Sequence, residues 1–352
     1  MPDWISDTQA VALIGAIGGI LLGLAARLGR FCTLGAIEDR LYGGSDIRLR
    51  MWGLAIGTAI FGSFALMAGG LLSADSTTYL ASRWQPAASV MGGLMFGYGM
   101  ALAGNCGFGA IARLGGGDLR SFVIVLVMGV STFVVLSGPL AAIRIAILPQ
   151  APHDGDVLPG IAHFLSSMTG VAPHVVGMAI GIALFGWMLT SAELRAKPVS
   201  IFWGAMVGLA VVSGWAGTQW VASTGFEGTP VSSHTFSAPV GETILYAMTG
   251  SARALSFGVG SVVGVWIGAF AGSLIKGHFR WEACEDPREL RRQIIGAGIM
   301  GVGAVIALGC TIGQGVSAFS VLAWSAPVTF AAIFAGAAIG LRQLIEGFQP
   351  AE

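Results

Sequence analysis

The chain has 352 residues, a formal net charge of zero, and 10% charged residues against 55% hydrophobic ones. A soluble domain carries roughly 25% charged residues, so this composition excludes an ordinary globular protein and predicts an integral membrane protein in a lipid bilayer. A chain without excess positive charge gives no support to a nucleic-acid partner.

Nine apolar segments are long enough to serve as membrane spans, because about 20 apolar residues cross the hydrocarbon core. In chain order they lie near residues 8–26, 51–72, 86–105, 121–148, 173–192, 199–221, 255–274, 293–310 and 325–345. The sequence therefore predicts an all-α polytopic membrane protein. The first segment follows Asp3 and Asp7 instead of a basic stretch, so we interpret it as a retained span and not as a cleaved signal peptide.

The distribution of Arg and Lys predicts how these spans are oriented. Basic residues concentrate in the connections after the first, fifth and seventh segments, and they are sparse in 73–85, 149–172 and 222–252. Connections rich in Arg and Lys are retained in the cytoplasm. We therefore expect the N-terminus outside the cell and the C-terminus in the cytoplasm.

Two Gly-rich stretches resemble each other closely. "GYGMALAGNCGFG" (97–109) and "GVGAVIALGCTIG" (301–313) align without a gap, which places Cys106 and Cys310 at one shared position, 204 residues apart. Chance similarity between Gly-rich helices is the alternative explanation, but the paired cysteines favour a repeat.

A weaker match extends the repeat to the first span. "GLAARLGRFC" resembles "GLAVVSGWAG", so that Gly217 stands where the first copy has Cys32. Because the matched spans cross in opposite directions, we predict an inverted repeat of 8–148 and 199–345, joined by a linking helix at 173–192. Such repeats are typical of transporters, whose substrates bind near the midplane at interrupted helices.

Three cysteines, Cys32, Cys106 and Cys310, lie at Gly-flanked interruptions of predicted spans. Gly within a helix is unfavourable by ~1 kcal/mol relative to Ala, and it permits backbone conformations that free N–H and C=O groups. In a membrane such groups must be buried in protein or must face a wet pathway. Helices that restart after these breaks direct free N–H groups inward, which favours an anion.

A thiol at each break adds a soft, polarizable sulfur and a weak S–H donor. A hard oxyanion such as sulfate gains little from this contact, whereas thiosulfate gains both charge compensation and a contact for its terminal sulfur. We expect the thiols to remain mostly protonated, because a thiolate repels a dianion. The alternative is that the cysteines only pack helices together, and Cys284, in a basic loop, is expected to be incidental.

The cysteine segments resemble a known family. "RLGRFCTLGAIEDRL", "GNCGFGAIARLGGGDLRSF" and "GCTIGQGVS" are similar to the three cysteine motifs of the YeeE/YedE family of bacterial inner-membrane sulfur-compound transporters, typified by thiosulfate uptake. The resemblance covers essentially the whole chain. It implies an hourglass-shaped fold with re-entrant helices, a relay of the anion from thiol to thiol, and a small soluble cytoplasmic sulfurtransferase as partner. The chain departs from the family at Val305, where relatives often carry a basic residue.

The breaks around the thiols are expected to bind the substrate. The expected substrate-binding residues are Cys32, Gly104, Asn105, Cys106, Gly107, Gly309, Cys310, Thr311 and Gly313. We predict no catalytic residue, no metal site and no cofactor.

Other polar residues have less specific roles. Four arginines beside the breaks either attract the anion or anchor the cytoplasmic ends of spans: Arg27, Arg30, Arg113 and Arg120. A local charge cluster is expected from Glu38, Asp39 and Arg40. Four histidines in or beside the outer connections have no metal-ligand spacing and are expected at the surface: His153, His163, His174 and His234.

Three classes of function are compatible with these features: a permease, a membrane sulfurtransferase that forms a persulfide on Cys106, and a structural subunit. The enzyme would require a thiolate activated by a base or cation and usually a resolving thiol, and the cysteine motifs contain no His or Lys. The Gly-rich segment "ARLGGGDLRSF" lacks the GKS or GKT ending of a phosphate loop. The sequence therefore predicts a non-enzymatic permease for thiosulfate or a related reduced-sulfur anion.

Overall fold

A computed structural model of the chain describes residues 5–153, 155, 157–284 and 286–347. Within these residues the structure is helical, with isolated bridges and no β-strand. The helices, in chain order, are α1 (Asp7–Leu28), α2 (Thr33–Leu41), α3 (Ile47–Ala68), α4 (Thr78–Ala81), α5 (Pro86–Ala103), α6 (Gly107–Leu114), α7 (Leu119–Leu136), α8 (Ala141–Ile147), α9 (Ile161–Thr169), α10 (Pro173–Met188), α11 (Ala192–Arg195), α12 (Pro198–Thr224), α13 (Ala238–Thr249), α14 (Phe257–Ile275), α15 (Pro287–Ile306), a π-helix (Gly313–Ala318) and α16 (Ser325–Glu346).

Seven helical segments of the described chain are long and apolar enough to cross a membrane, and α9 with α10, bent by 119°, provides an eighth if the pair is one interrupted span. The predicted all-α polytopic membrane protein is confirmed. Two of the nine predicted segments fall outside the seven. The segment near 173–192 is α10, which has only 16 residues, and the segment near 293–310 is α15, whose first turns carry several arginines.

Close helix packing explains much of the glycine content. A Cβ atom on three glycines of α1 would overlap backbone carbonyl oxygens of α14, and three glycines of α14 stand in the same relation to α1. The glycines in this interface are Gly15, Gly19, Gly23, Gly260, Gly264 and Gly268. Small residues spaced four apart let two helix backbones approach closely, which is how helices associate in lipid.

Helix contacts in the two halves of the chain occur in corresponding pairs. The contact of α1 with α14 corresponds to that of α12 with α3, and the contact of α5 with α16 corresponds to that of α15 with α7. The short helices follow the same rule, since α6 packs on α7 as the π-helix packs on α16. At the centre, α1 packs on α12 and α5 packs on α15. We propose that this pairing reflects the predicted inverted repeat of 8–148 and 199–345, linked through 173–192.

One detail of the predicted repeat changes. Gly217 lies inside the uninterrupted helix α12, where a Cβ atom would meet the side chain of Ile14. In the proposed repeat, the break that corresponds to the one before α2 would follow α12, in the loop 225–237 that leads into α13. The sequence match aligned Gly217 with Cys32, but α12 continues for seven residues beyond Gly217.

Candidate functional site

The three breaks that carry cysteines share one backbone conformation. In each, the residue two positions before the cysteine has a positive φ: 57° at Arg30, 74° at Gly104 and 56° at Leu308. For the two residues that are not glycine, this conformation costs on the order of 1 kcal/mol. The chain thus turns sharply and presents each cysteine at the start of a new helix.

The two buried thiols are placed in the same way at the ends of their helices. Cys106 precedes α6, and its Sγ accepts a hydrogen bond from the Gly109 N–H at 3.3 Å. Cys310 Sγ accepts the Gly313 N–H at 3.4 Å and also the Phe236 N–H at 3.2 Å. Each sulfur therefore serves as the N-terminal cap of a helix that restarts within the protein.

Cys32 differs from the other two thiols in its exposure. It precedes α2 in an extended conformation, and among the described residues its side chain caps no N–H group. Whereas Cys106 and Cys310 are 1% and 0% exposed, Cys32 is half-buried. Of the three thiols, it is therefore the one that is partly accessible from solvent.

All three thiols lie together in the protein interior. Cys106 and Cys310 belong to one buried core cluster, and Cys32 packs against it. Cys32 and Cys310 are neighbours of Cys106, and the Thr311 hydroxyl lies beside the Cys106 thiol. The structure thus brings together cysteines that are far apart in the sequence, and none of them faces the lipid.

The neighbours predicted for the site surround these thiols. Asn105 is 2% exposed and its Oδ1 atom has no hydrogen-bond partner in the described chain. Thr311 is fully buried and its hydroxyl likewise has no partner there. A Cβ atom on Gly107 would lie 2.7 Å from the Phe236 carbonyl oxygen, and one on Gly313 would lie 3.0 Å from the Tyr79 hydroxyl.

Several contacts around Cys310 were missed from the sequence. The loop before α13 supplies the Phe236 N–H and the Thr235 hydroxyl, which is 3.6 Å from the Cys310 sulfur. Gln314 donates from Nε2 to the carbonyls of Ala307 at 2.8 Å and Leu308 at 3.2 Å, and so stabilises the break. Gln314 stands within the quoted motif, whereas the backbone contact from Phe236 left no signal in the sequence.

The surface position predicted for His234 is wrong. Its side chain is fully buried, and Nδ1 lies 2.7 Å from the Ser261 hydroxyl of α14. The His234 carbonyl accepts a hydrogen bond from Ser317 at 2.7 Å. The loop that contacts Cys310 is therefore attached to both α14 and the π-helix. Within the described residues, no group of three or more His, Cys, Asp or Glu side chains is arranged to hold a metal ion.

A cavity of about 380 Å³, which we call the vestibule, opens beside Cys32. Its wall includes Cys32, Asn105 and Gly109 together with several charged side chains. The charged lining residues are Arg27, Arg30, Glu38, Arg48, Arg113 and Lys276. Because about 10–15 Å³ suffices for one water molecule, the vestibule has room for a polyatomic anion with its water.

Three of the four arginines beside the breaks line this vestibule, and Arg120 does not. Arg120 instead pairs with Asp118 at 3.4 Å and lies within 3.9 Å of Glu282 and 3.7 Å of Glu289. The charge cluster predicted from Glu38, Asp39 and Arg40 also includes Arg48, because Asp39 pairs with Arg48 at 3.1 Å.

Lys276 closes one side of the vestibule. Its Nζ atom donates to the carbonyls of Arg27 at 2.9 Å and Leu28 at 3.1 Å, which are free because α1 ends there. Partial burial, with the positive charges of Arg30 and Arg27, lowers the pKa of Lys276. A bound anion would offset this effect by favouring the charged ammonium group.

Two further cavities approach Cys310 from another direction. One of about 190 Å³ is lined by Tyr79, Thr235 and Gly309, and one of about 90 Å³ is lined by Tyr79, Arg83 and Arg144. Neither of the two buried thiols is among the described residues that line these cavities or the vestibule. The conformation is therefore closed at the buried thiols, between cavities that approach them from different sides.

The helices of this protein are interrupted, and polar groups are buried at the breaks, between cavities on different sides. This architecture is typical of membrane transport proteins. The sequence model of the sulphur transport family matches residues 28–339, and the chain belongs to that family. This confirms the resemblance seen in the cysteine motifs.

Two relatives match nearly the whole chain. The thiosulfate transporter TsuA of Escherichia coli (strain K12) is 27% identical, over 90% of this chain and 89% of that protein. The thiosulfate transporter TsuA of Spirochaeta thermophila (strain ATCC 700085 / DSM 6578 / Z-1203) is 25% identical, over 90% of this chain and 94% of that protein. Membership of the sulphur transport family, together with the apolar helices, makes the chain a multi-pass membrane transporter.

Proposed function

We propose that the protein takes up thiosulfate, or a closely related reduced-sulfur anion, by passing it between the thiols of Cys310, Cys106 and Cys32. Both named relatives are thiosulfate transporters, which supports this substrate. The observation that carries the proposal is the equivalent placement of Cys106 and Cys310 at two restarting helices in one core, with Cys32 between that core and the vestibule.

The hydrogen bonds at the two buried sulfurs favour their role as donors. Each sulfur already accepts backbone N–H groups, so its S–H proton is free to point toward the terminal sulfur of the anion. The oxygens of the anion would be met by the amide N–H groups of Asn105, by the unpartnered Thr311 hydroxyl and by the positive ends of the restarting helices. Soft and hard parts of the substrate would thus contact different groups of one site.

The direction of transport follows from the expected orientation in a bacterial inner membrane. With the N-terminus outside and the C-terminus in the cytoplasm, the cavities near Tyr79 face outward and the vestibule faces the cytoplasm. The anion would then meet Cys310 first, Cys106 second and Cys32 last. Because the buried thiols are closed off from the cavities, small movements at the breaks must accompany each step.

A cytoplasmic sulfurtransferase is the proposed partner, since its consumption of the imported anion would keep uptake running downhill. The basic connection 276–292 adjoins the vestibule, because Lys276 and His278 line it. We propose this connection as the docking surface.

The test is uptake of radiolabelled thiosulfate into proteoliposomes that contain the purified protein. We expect uptake above that of empty liposomes, and loss of it in Cys106→Ala. Uptake no greater than in empty liposomes would refute the proposed function. Mass spectrometry after substrate exposure separates transport from the sulfurtransferase alternative, which requires a stable persulfide on Cys106.

A further inference from the structure

Among the residues that the structure describes, the vestibule lining carries more positive than negative charge. Arg27, Arg30, Arg113 and Lys276 form no ion pair with any residue that the structure describes. Glu38 is the one carboxylate among the described lining residues, and it makes no ion pair there either. Like charges gathered in a partly enclosed space raise the free energy of the protein unless an anion joins them.

Two polar groups at the inner end of the vestibule are also without partners. The Nε atom of Arg27 is buried and forms no hydrogen bond within the described chain. The other group is the Asn105 side chain, which is 2% exposed and whose Oδ1 atom has no partner there. Oδ1 is an acceptor, so an anion would be bound by the amide N–H groups of this side chain instead. A buried donor without a partner is unfavourable by about 1–3 kcal/mol, and an oxyanion would remove that penalty for Arg27.

We propose that the vestibule is a second anion-binding site, which takes divalent tetrahedral oxyanions such as sulfate and hydrogen phosphate. It differs from the thiol site in selectivity, because guanidinium and amide groups recognise charge and oxygen atoms and require no soft sulfur. The proposal rests on the proposed function, in which the vestibule is the exit of the pathway.

A regulatory consequence follows from this arrangement. An oxyanion bound in the vestibule occupies the space beside Cys32 that thiosulfate must enter on its way out. The same oxyanion outside the cell would compete weakly, because the outer route leads to Cys310, which favours a terminal sulfur. Cytoplasmic sulfate or phosphate would therefore slow uptake of thiosulfate, whereas the external anion would not.

Binding is tested first, by calorimetric titration of the purified full-length protein in detergent with sulfate at low ionic strength. The variant Glu38→Gln removes the negative charge and should tighten binding about fivefold, for a divalent anion about 8 Å away in a water-like medium. The double variant Arg27→Gln with Arg113→Gln should weaken binding more than tenfold. Arg195→Gln is the matched control, because Arg195 is an exposed arginine of α11 outside the vestibule.

The site would be refuted if sulfate does not bind, or if binding is the same in Glu38→Gln as in the unmodified protein. An equal loss of binding in Arg195→Gln would also refute it, because that result indicates general surface charge. Glu38→Gln keeps the test decisive if the double variant does not fold, since Glu38 takes part in no ion pair among the described residues.

Transport is tested next, in right-side-out membrane vesicles loaded with sulfate or with chloride at equal ionic strength. We expect the initial rate of labelled thiosulfate uptake to fall several-fold with internal sulfate, and to fall further in Glu38→Gln. Equal rates with the two internal anions would overturn the regulatory role. If the vesicles take up no thiosulfate while sulfate still binds with the expected charge dependence, the proposed function fails and the anion site stands.

Discussion

Substitution of Cys106 by serine separates the softness of the thiol from its hydrogen bonding. Serine keeps an acceptor for the Gly109 N–H, which now bonds to the sulfur at 3.3 Å, and it keeps an O–H donor for the substrate. It removes only the polarizable sulfur. Alanine removes the sulfur and the acceptor together, so the two variants differ in stability as well as in activity.

The expected magnitudes follow from these contacts. Loss of an acceptor for a buried N–H group is unfavourable by about 1–3 kcal/mol, so Cys106→Ala should lower the free energy of unfolding by that amount. Cys106→Ser should lower it by about 1 kcal/mol or less, because the Thr311 hydroxyl lies beside the site and can pair with the new hydroxyl. Both variants should lose about tenfold or more of uptake, since a factor of ten in rate corresponds to about 1.4 kcal/mol of lost interaction with the migrating anion.

The assay combines initial rates of labelled thiosulfate uptake in proteoliposomes with thermal unfolding of the same preparations. Cys284→Ser is the matched control for the cysteine-to-serine change. Among the described residues Cys284 donates to the Asp286 carbonyl at 3.3 Å, and it lines neither the vestibule nor the two cavities near Tyr79. Normal uptake by Cys106→Ser would show that hydrogen bonding alone suffices and would refute the argument from soft sulfur.

Four further outcomes are expected. Cys284→Ala should leave uptake unchanged, and an inactive variant would show that the loop takes part in transport. Cys310→Ala should destabilise the protein by about 2–6 kcal/mol, because it leaves both the Phe236 and Gly313 N–H groups without an acceptor; thermal unfolding at or above the midpoint of the unmodified protein would contradict this. Gly109→Ala should fold normally but slow uptake, because its Cβ would lie 3.6 Å from the neighbouring thiol sulfur, at the wall of the vestibule; an unchanged uptake rate would place the route elsewhere. External sulfate in excess should compete poorly with labelled thiosulfate, and equal competition would indicate plain anion recognition.

The sequence alone was sufficient to predict the class of protein and the residues at its centre. A chain with 10% charged residues cannot be an ordinary soluble domain, and seven of the nine predicted segments overlap helices that are long and apolar enough to span a membrane. The motifs around Cys32, Cys106 and Cys310 identified the family, because Gly and Cys at constant spacing are local features that do not depend on distant contacts.

Tertiary structure decided which of these residues meet. The sequence could not distinguish Arg120 from Arg113. Arg120 lies beside the carboxylates of Asp118, Glu282 and Glu289, whereas Arg113 lines the vestibule. Likewise, His234 and Phe236 belong to a polar loop that looked external, yet this loop folds inward against Cys310. A hydrogen bond from a backbone N–H group leaves no side-chain pattern in the sequence. The compensation of a charge depends on groups that folding brings together from distant segments. The contacts of Cys310 and the charge of the vestibule are therefore determined only in the folded structure.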